Sequence, residues 1–125
     1  MGGTAYVYLC YGIHHLFNVV THSSDVPHAV LIRGAVPKEG SAAMWERLGR
    51  EPGRLLRGPG VVSKALGIRS TQTGMDLIKG PLTIEDHGIS VLAHRIMRTP
   101  RIGVDYAGPD ALLPYRFLIN PNDLQ

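Results

Sequence analysis

The sequence predicts an α+β domain: a curved, mostly antiparallel sheet with a protruding β-hairpin and a few short helices. Three observations predict it. Fifteen Gly and nine Pro in 125 residues favour many turns and short elements over a helix bundle. Strand-like runs outnumber helical ones, and too few helices alternate with strands for a doubly wound sheet. The first twenty residues hold two runs of strand-forming residues on either side of Tyr11-Gly12.

Residues 4–11 read as a strand rich in aromatic and β-branched side chains (Tyr6, Val7, Tyr8, Tyr11), and residues 13–21 as its partner. Tyr11-Gly12 then lies near the hairpin tip. Period-two alternation sends Tyr6 and Tyr8 to one face and Val7, Leu9 and Tyr11 to the other. A large aromatic at a hairpin tip has little core to join. Residues 22–27 form a polar loop, and residues 29–33 a short apolar strand ending on Arg33. Residues 37–40 make a turn, and Ser41 reads as the N-cap of a helix reaching about Arg50. Residues 53–60 form a basic loop rich in Gly and Pro, with Arg54, Arg57 and Gly58-Pro59-Gly60. A short helix over 61–66 is closed by Gly67. Residues 69–80 read as loop with one helical turn near 75–77, followed by strands at 82–85, 90–94, 101–104 and 115–119. No internal repeat or domain linker is visible.

Thirteen basic and ten acidic residues leave a net charge of +3, with a pI of about 9.3, a mild lean toward polyanions. The single Cys10 excludes an internal disulfide and a cysteine-rich zinc site, and its apolar surroundings predict a small buried hydrophobe. No stretch approaches the ~20 apolar residues that span a bilayer, and no signal peptide is visible. The reading is cytoplasmic. His14-His15, His22 and His28 lack an established metal-ligand spacing, so no metal site is expected. Gly58-Pro59-Gly60 lacks the Gly-Lys-Ser/Thr ending of a P-loop. The Arg95–Arg101 stretch reads as a solvated edge.

Five blocks together resemble the alkyladenine (3-methyladenine) DNA glycosylase family. They are Gly3-Thr4-Ala5-Tyr6-Val7-Tyr8-Leu9-Cys10-Tyr11-Gly12 continuing to Asn18; Ala29-Val30-Leu31-Ile32-Arg33 with Val36-Pro37; Gly58-Pro59-Gly60 with Ala65-Leu66-Gly67-Ile68; Arg101-Ile102-Gly103-Val104 with Ala107-Gly108; and Pro114-Tyr115-Arg116-Phe117. They occur in the family's order and cover most of residues 3–119. The resemblance implies a base-excision repair enzyme without metal or organic cofactor. It would act as a monomer on damaged double-stranded DNA, in the cytoplasm and at the nucleoid if bacterial.

Site roles follow from the same resemblance. Tyr11 matches the hairpin-tip aromatic that enters the minor groove and fills the space left by an extruded nucleotide. Tyr8 matches the aromatic that stacks on the flipped base, and Asn18 the pocket residue that disfavours guanine-like bases. Arg33 matches an Arg that holds the nucleophilic water, with the backbone carbonyl of Ile102 nearby. Gly58 and Gly60 fall in a phosphate-contacting loop, with Arg57 beside it. The family has a Lys directly after this loop where Val61 stands here; Lys64 or Arg57 would take over that contact. The family's general base is a Glu in a Glu-x-Glu-Ala-Tyr segment upstream of the hairpin, and these 125 residues contain no such segment. The resemblance therefore makes residues 1–125 the C-terminal portion of the domain, N-terminally truncated and incomplete. The acids present (Asp25, Glu39, Glu46, Glu51, Asp76, Glu85, Asp86, Asp105, Asp110, Asp123) read as loop or solvated positions.

On residue type alone, other readings stand beside these. Tyr6 and Tyr8 suit the core of a sheet, Tyr11 a surface turn, Asn18 a polar edge and Arg33 a solvated strand end. At the level of function, a damage-binding module without catalysis and an inactive fragment stand beside the glycosylase.

Overall fold

The computed structural model describes residues 2–22, 28–102 and 112–124. Among them are antiparallel strands and two α-helices, the expected α+β composition, with the strands divided among three small sheets. β1 (Ala5–Cys10), β2 (His14–Val20) and β3 (Ala29–Leu31) form the first in that order. After β4 (Gly34–Ala35) come α1 (Ser41–Leu48), β5 (Leu56–Arg57) and α2 (Pro59–Leu66), and β4 pairs with β5. The third sheet joins β6 (Ile96–Thr99) to β7 (Arg116–Ile119). The chain divides into two compact units, Met1–Glu85 and Asp86–Gln125.

The first unit is organised by the hairpin. Ala5 faces Val19, Val7 faces Phe17, and Tyr8 faces Leu16. One face of β1 and β2 buries Ala5, Val7 and Phe17 against Ile68 and Leu77. The opposite face carries Tyr6 and Tyr8, 47% and 38% exposed. The expected alternation therefore holds through Val7. A second cluster joins Met44 of α1 to Leu56, Val62 and Ala65, and Ile32 packs against both clusters. Arg47 of α1 donates a hydrogen bond from Nη1 to the Ala65 carbonyl (2.9 Å), placing a cation at the end of α2 where the helix dipole is negative.

A segment following a one-turn 3-10 helix (Ser70–Gln72) runs along the outer edge of β1. The Gly74 N–H donates to the Ala5 carbonyl, the Ala5 N–H to the Met75 carbonyl, and the Leu77 N–H to the Gly3 carbonyl, all at 2.8–2.9 Å. An exposed strand edge is a template for aggregation, and this segment covers it.

Several boundaries differ from the sequence reading, each for a local reason. Gly40, with a left-handed backbone, is the N-cap of α1; Ser41 is the first helical residue, and the helix ends at Leu48 before Gly49. The predicted loop at 53–60 contains β5, and its Gly58-Pro59-Gly60 is the start of α2. Pro59 at the first helical position lacks an N–H that would have no partner there anyway. The expected turn near 75–77 lies at Ser70–Gln72, because 75–77 pairs with the start of β1. Residues 82–85 form no strand; Leu82 reaches the core without a ladder partner. Cys10, expected buried, is half-buried. Residues 23–27 of the predicted loop lie outside the described residues.

In the second unit, β7 (Arg116–Ile119) appears where a strand was expected, but residues 90–94 and 101–102 are not strand, and 103–104 lie outside the described residues. β6 instead occupies the stretch read as a solvated edge, and Arg98 lies over the Phe117 ring at 5.5 Å. No described residue of this unit is buried. A two-stranded ribbon has too little interior for the alternation to sort.

Candidate nucleic-acid interface

The tip of the hairpin is a tight turn in which the Ile13 N–H donates to the Cys10 carbonyl (3.1 Å). Tyr11 and Gly12 both have positive φ, 53° and 66°, the signs a type I′ turn requires. Glycine takes this conformation freely, but a residue with a Cβ is strained there by roughly 1–2 kcal/mol. Tyr11 is the only non-glycine residue with positive φ among those described. Its side chain is 91% exposed, so no packing compensates the strain. The surface-turn reading of Tyr11 is correct as to place, but it explains neither the ring nor its backbone.

Tyr8 and Tyr6 lie side by side on the open face, ring centroids 5.5 Å apart and planes tilted by 33°. The core reading of these two rings is overturned by their exposure. Asn18 stands directly opposite Tyr6 on the central strand and is 8% exposed, so it is not a polar edge residue. Its Nδ2 donates to the carbonyls of Tyr6 (3.3 Å) and Leu16 (3.2 Å). Both amide hydrogens are thereby used, which leaves Oδ1 as the group with open valence.

The β5–α2 segment flanks the hairpin. Arg33, half-buried just beyond β3, accepts a hydrogen bond at its carbonyl from the Gly58 N–H (2.8 Å). Gly60 faces His14 so closely that a Cβ there would lie 2.7 Å from Nδ1 and 3.3 Å from the His14 Cβ. Glycine at this position lets α2 approach the hairpin. One turn further, buried Ser63 donates its hydroxyl to the His15 carbonyl. That carbonyl points to the side where β3 has already turned away, its last ladder bond being Ile32 N–H to Phe17 carbonyl (3.0 Å). The start of α2 has no side-chain cap and no acidic residue in its first turn. With the Gly58 N–H given to the Arg33 carbonyl and none on Pro59, the Gly60 and Val61 N–H groups and the positive end of the helix dipole remain for an anion, with exposed Arg57 before them and exposed Lys64 after them.

The structure thus gathers Tyr8, Asn18, Tyr11, Arg33, Arg57, Gly58, Gly60 and Lys64 in the first unit. Ile102 belongs to the second unit, where it is 56% exposed. The described acids Glu39, Glu46, Glu51, Asp76, Glu85 and Asp86 are exposed, and two of them serve as turn caps. Asp76 Oδ1 accepts from the Ile78 N–H and Asp86 Oδ1 from the Gly88 N–H, at 2.8 and 2.9 Å. Sequence reasoning missed the hydroxyls of Ser63 and Thr73, which brace the hairpin from segments 48 and 66 residues away. No local pattern marks such partners. No group of three or more His, Cys, Asp or Glu that could hold a metal occurs among the described residues, and no helix there is long and apolar enough to cross a membrane.

Comparison with known proteins supports the family resemblance. Residues 1–123 match the family described as methylpurine-DNA glycosylase, and the chain belongs to that family. A protein of Chlamydia pneumoniae provisionally named 3-methyladenine DNA glycosylase is 44% identical over 125 residues, covering 98% of this chain and 62% of its own length. The DNA-3-methyladenine glycosylase of Arabidopsis thaliana is 42% identical over 112 residues, covering 87% of this chain and 43% of that protein. A Bacillus subtilis protein with the same provisional name is 40% identical over 121 residues, 96% of this chain and 60% of that protein. The chain spans about three fifths of the length of the bacterial relatives it matches.

Proposed function

We propose that residues 1–125 are the C-terminal, lesion-recognising portion of a DNA glycosylase that extrudes alkylated or deaminated purines from duplex DNA and hydrolyses their N-glycosidic bond. The observation that carries this reading is Tyr11: a bare aromatic ring held in left-handed backbone at the tip of a hairpin. Backbone strain and a fully hydrated ring persist together where a partner later receives the ring. A base pair's worth of space in a duplex is such a partner, and filling it offsets the few kcal/mol lost when a base leaves the stack.

The neighbouring groups suit the remaining steps. Tyr8 offers a π face to the extruded base, and electron-poor alkylated purines gain a cation–π contribution. Asn18, tied to the backbone through Nδ2, sets the shape of the pocket against the exocyclic amine of guanine-like bases. Arg57, the opening turn of α2 at Gly58 and Gly60, and Lys64 hold the phosphate backbone. Arg33 orients the water. In the reaction the sugar C1′–nitrogen bond breaks with its electron pair on the departing base, which leaves neutral when alkylation has made it a cation and takes up a proton when it is a deaminated purine, while the water oxygen bonds to C1′ and a carboxylate takes the water proton.

A second reading stands beside it, in which the recognition groups Tyr8, Tyr11, Arg57 and Lys64 act alone. In that reading the same surface binds lesions without cutting. Single-turnover release of hypoxanthine from a duplex bearing one such base separates the two. Release above a Tyr8→Ala, Arg33→Ala control, by this chain or by this chain joined to an upstream Glu-x-Glu-Ala-Tyr segment, supports the glycosylase. Lesion-selective binding without release supports the binding module, and neither refutes both.

A further inference from the structure

The outer edge of β1 carries a clamp that none of these roles uses. Thr73 Oγ1 accepts a hydrogen bond from the Val7 N–H (2.9 Å) and donates one to the Val7 carbonyl (2.8 Å). One hydroxyl thus performs both ladder functions of a neighbouring strand. The N–H belongs to the peptide unit joining Tyr6 to Val7, and the carbonyl to the unit joining Val7 to Tyr8. Both peptide planes bordering Val7 are therefore fixed, and with them the two rings on the open face.

Thr73 is itself anchored. Its N–H donates to the Ser70 carbonyl (3.1 Å), and the next residue, Gly74, donates to the Ala5 carbonyl (2.8 Å). The same turn also reaches the other strand, because the Ser70 N–H donates to His15 Nδ1 (2.9 Å). Ser70 and Thr73 therefore grip β2 and β1 respectively. Beyond the grip on β1, Leu9 is 49% exposed and the chain runs out to the bare tip at Tyr11.

We infer that Thr73 is a positioning residue for lesion recognition, its hydroxyl holding Tyr8 at the height and tilt needed to stack on an extruded base. The inference rests on the proposed function. A ring on a protruding strand can stack on a base only if its Cα is fixed to a fraction of an ångström, and Val7 is the residue next to it where the sheet edge is held. Replacing the hydroxyl by a methyl leaves both Val7 groups to water and lets the strand edge lift.

The test compares wild type, Thr73→Val and Thr73→Ser at a temperature where circular dichroism shows all three folded. Fluorescence anisotropy gives the affinity of each for a duplex bearing one hypoxanthine and for the undamaged duplex. The lesion-to-undamaged affinity ratio is expected to fall about tenfold in Thr73→Val, with affinity for undamaged DNA and its salt dependence unchanged, and to stay within about twofold of wild type in Thr73→Ser. A wild-type ratio above one that Thr73→Val keeps would overturn the inference and leave the proposed function standing. A wild-type ratio of one would overturn both. If Thr73→Val does not fold, amide exchange in the other two proteins decides: a Val7 N–H that exchanges as fast as those of the hairpin tip would show that the clamp does not hold.

Discussion

Replacing Tyr11 by Asn should make the protein more stable and less able to recognise DNA damage. The turn at Tyr11-Gly12 needs positive φ at both positions, and the observed values are 53° and 66°. Left-handed backbone costs an ordinary residue roughly 1–2 kcal/mol, and much of that is relieved for Asn, whose short polar side chain tolerates the conformation. Asn-Gly is also the sequence most favoured in such turns. The loss on the other side of the comparison is small. The ring is 91% exposed, so removing it uncovers almost no apolar surface that is now buried. The net gain should be about 1 kcal/mol in urea unfolding, with an unchanged m-value, and a Tm raised by roughly 3–6 °C. The same variant should lose most of its preference for a lesion-bearing duplex while keeping the salt dependence of a protein that still contacts phosphates. A fall in stability of about 1 kcal/mol or more would refute the reasoning, since it would mean that the ring packs or that the backbone at this position is unstrained. Raised stability with lesion preference intact would leave the strain argument standing and remove Tyr11 as the wedge.

Two further outcomes follow from the approach of α2 to the hairpin. Arg57→Ala and Lys64→Ala should each weaken binding to any duplex and reduce the slope of log affinity against log salt by about one, read from titrations at several salt concentrations. An unchanged slope in both would place the phosphate contacts elsewhere. Gly60→Ala should be neutral or destabilising in the wild type, because the new Cβ meets the His14 ring at 2.7 Å. In a His14→Gly background, which also removes the His14 Cβ at 3.3 Å, the same change should stabilise by up to about 1 kcal/mol, the intrinsic helix preference of Ala over Gly. Urea unfolding of the four proteins gives the coupling, and additivity would contradict the close approach.

The hairpin was legible in the sequence because everything that specifies it is local. Alternation from Ala5 to Tyr8 sets the faces, and Tyr11-Gly12 sets the turn. The helices at 41–48 and 59–66 were legible for the same reason, the second closed by Gly67 as read, although both starts were displaced and the first stops at Leu48 before Gly49, short of the Arg50 expected. Ser41 looks like a cap, but Gly40 before it can adopt the backbone that turns the chain into the helix. Pro59 and Gly60 look like loop residues, but they fit the first turn of a helix whose early N–H groups have no partners in any case. In the second unit, alternation anticipated β7 but put a strand at 90–94 and missed β6, since no described residue there is buried and both faces of the ribbon tolerate either residue type.

By itself the sequence determined the family of this protein, the strand pairing of its hairpin and the presence of an aromatic ring where no core can receive it. These are properties of residue order, and short-range geometry translates them directly. Only the tertiary structure decided what fixes that hairpin in place: Gly60 against His14, Ser63 on the His15 carbonyl, Ser70 on the His15 ring and Thr73 on both sides of Val7. Each joins segments more than forty residues apart through one small side chain or a single amide. A hydroxyl or a missing Cβ has no periodicity that a sequence can display, and its meaning appears only when folding brings the second partner to it.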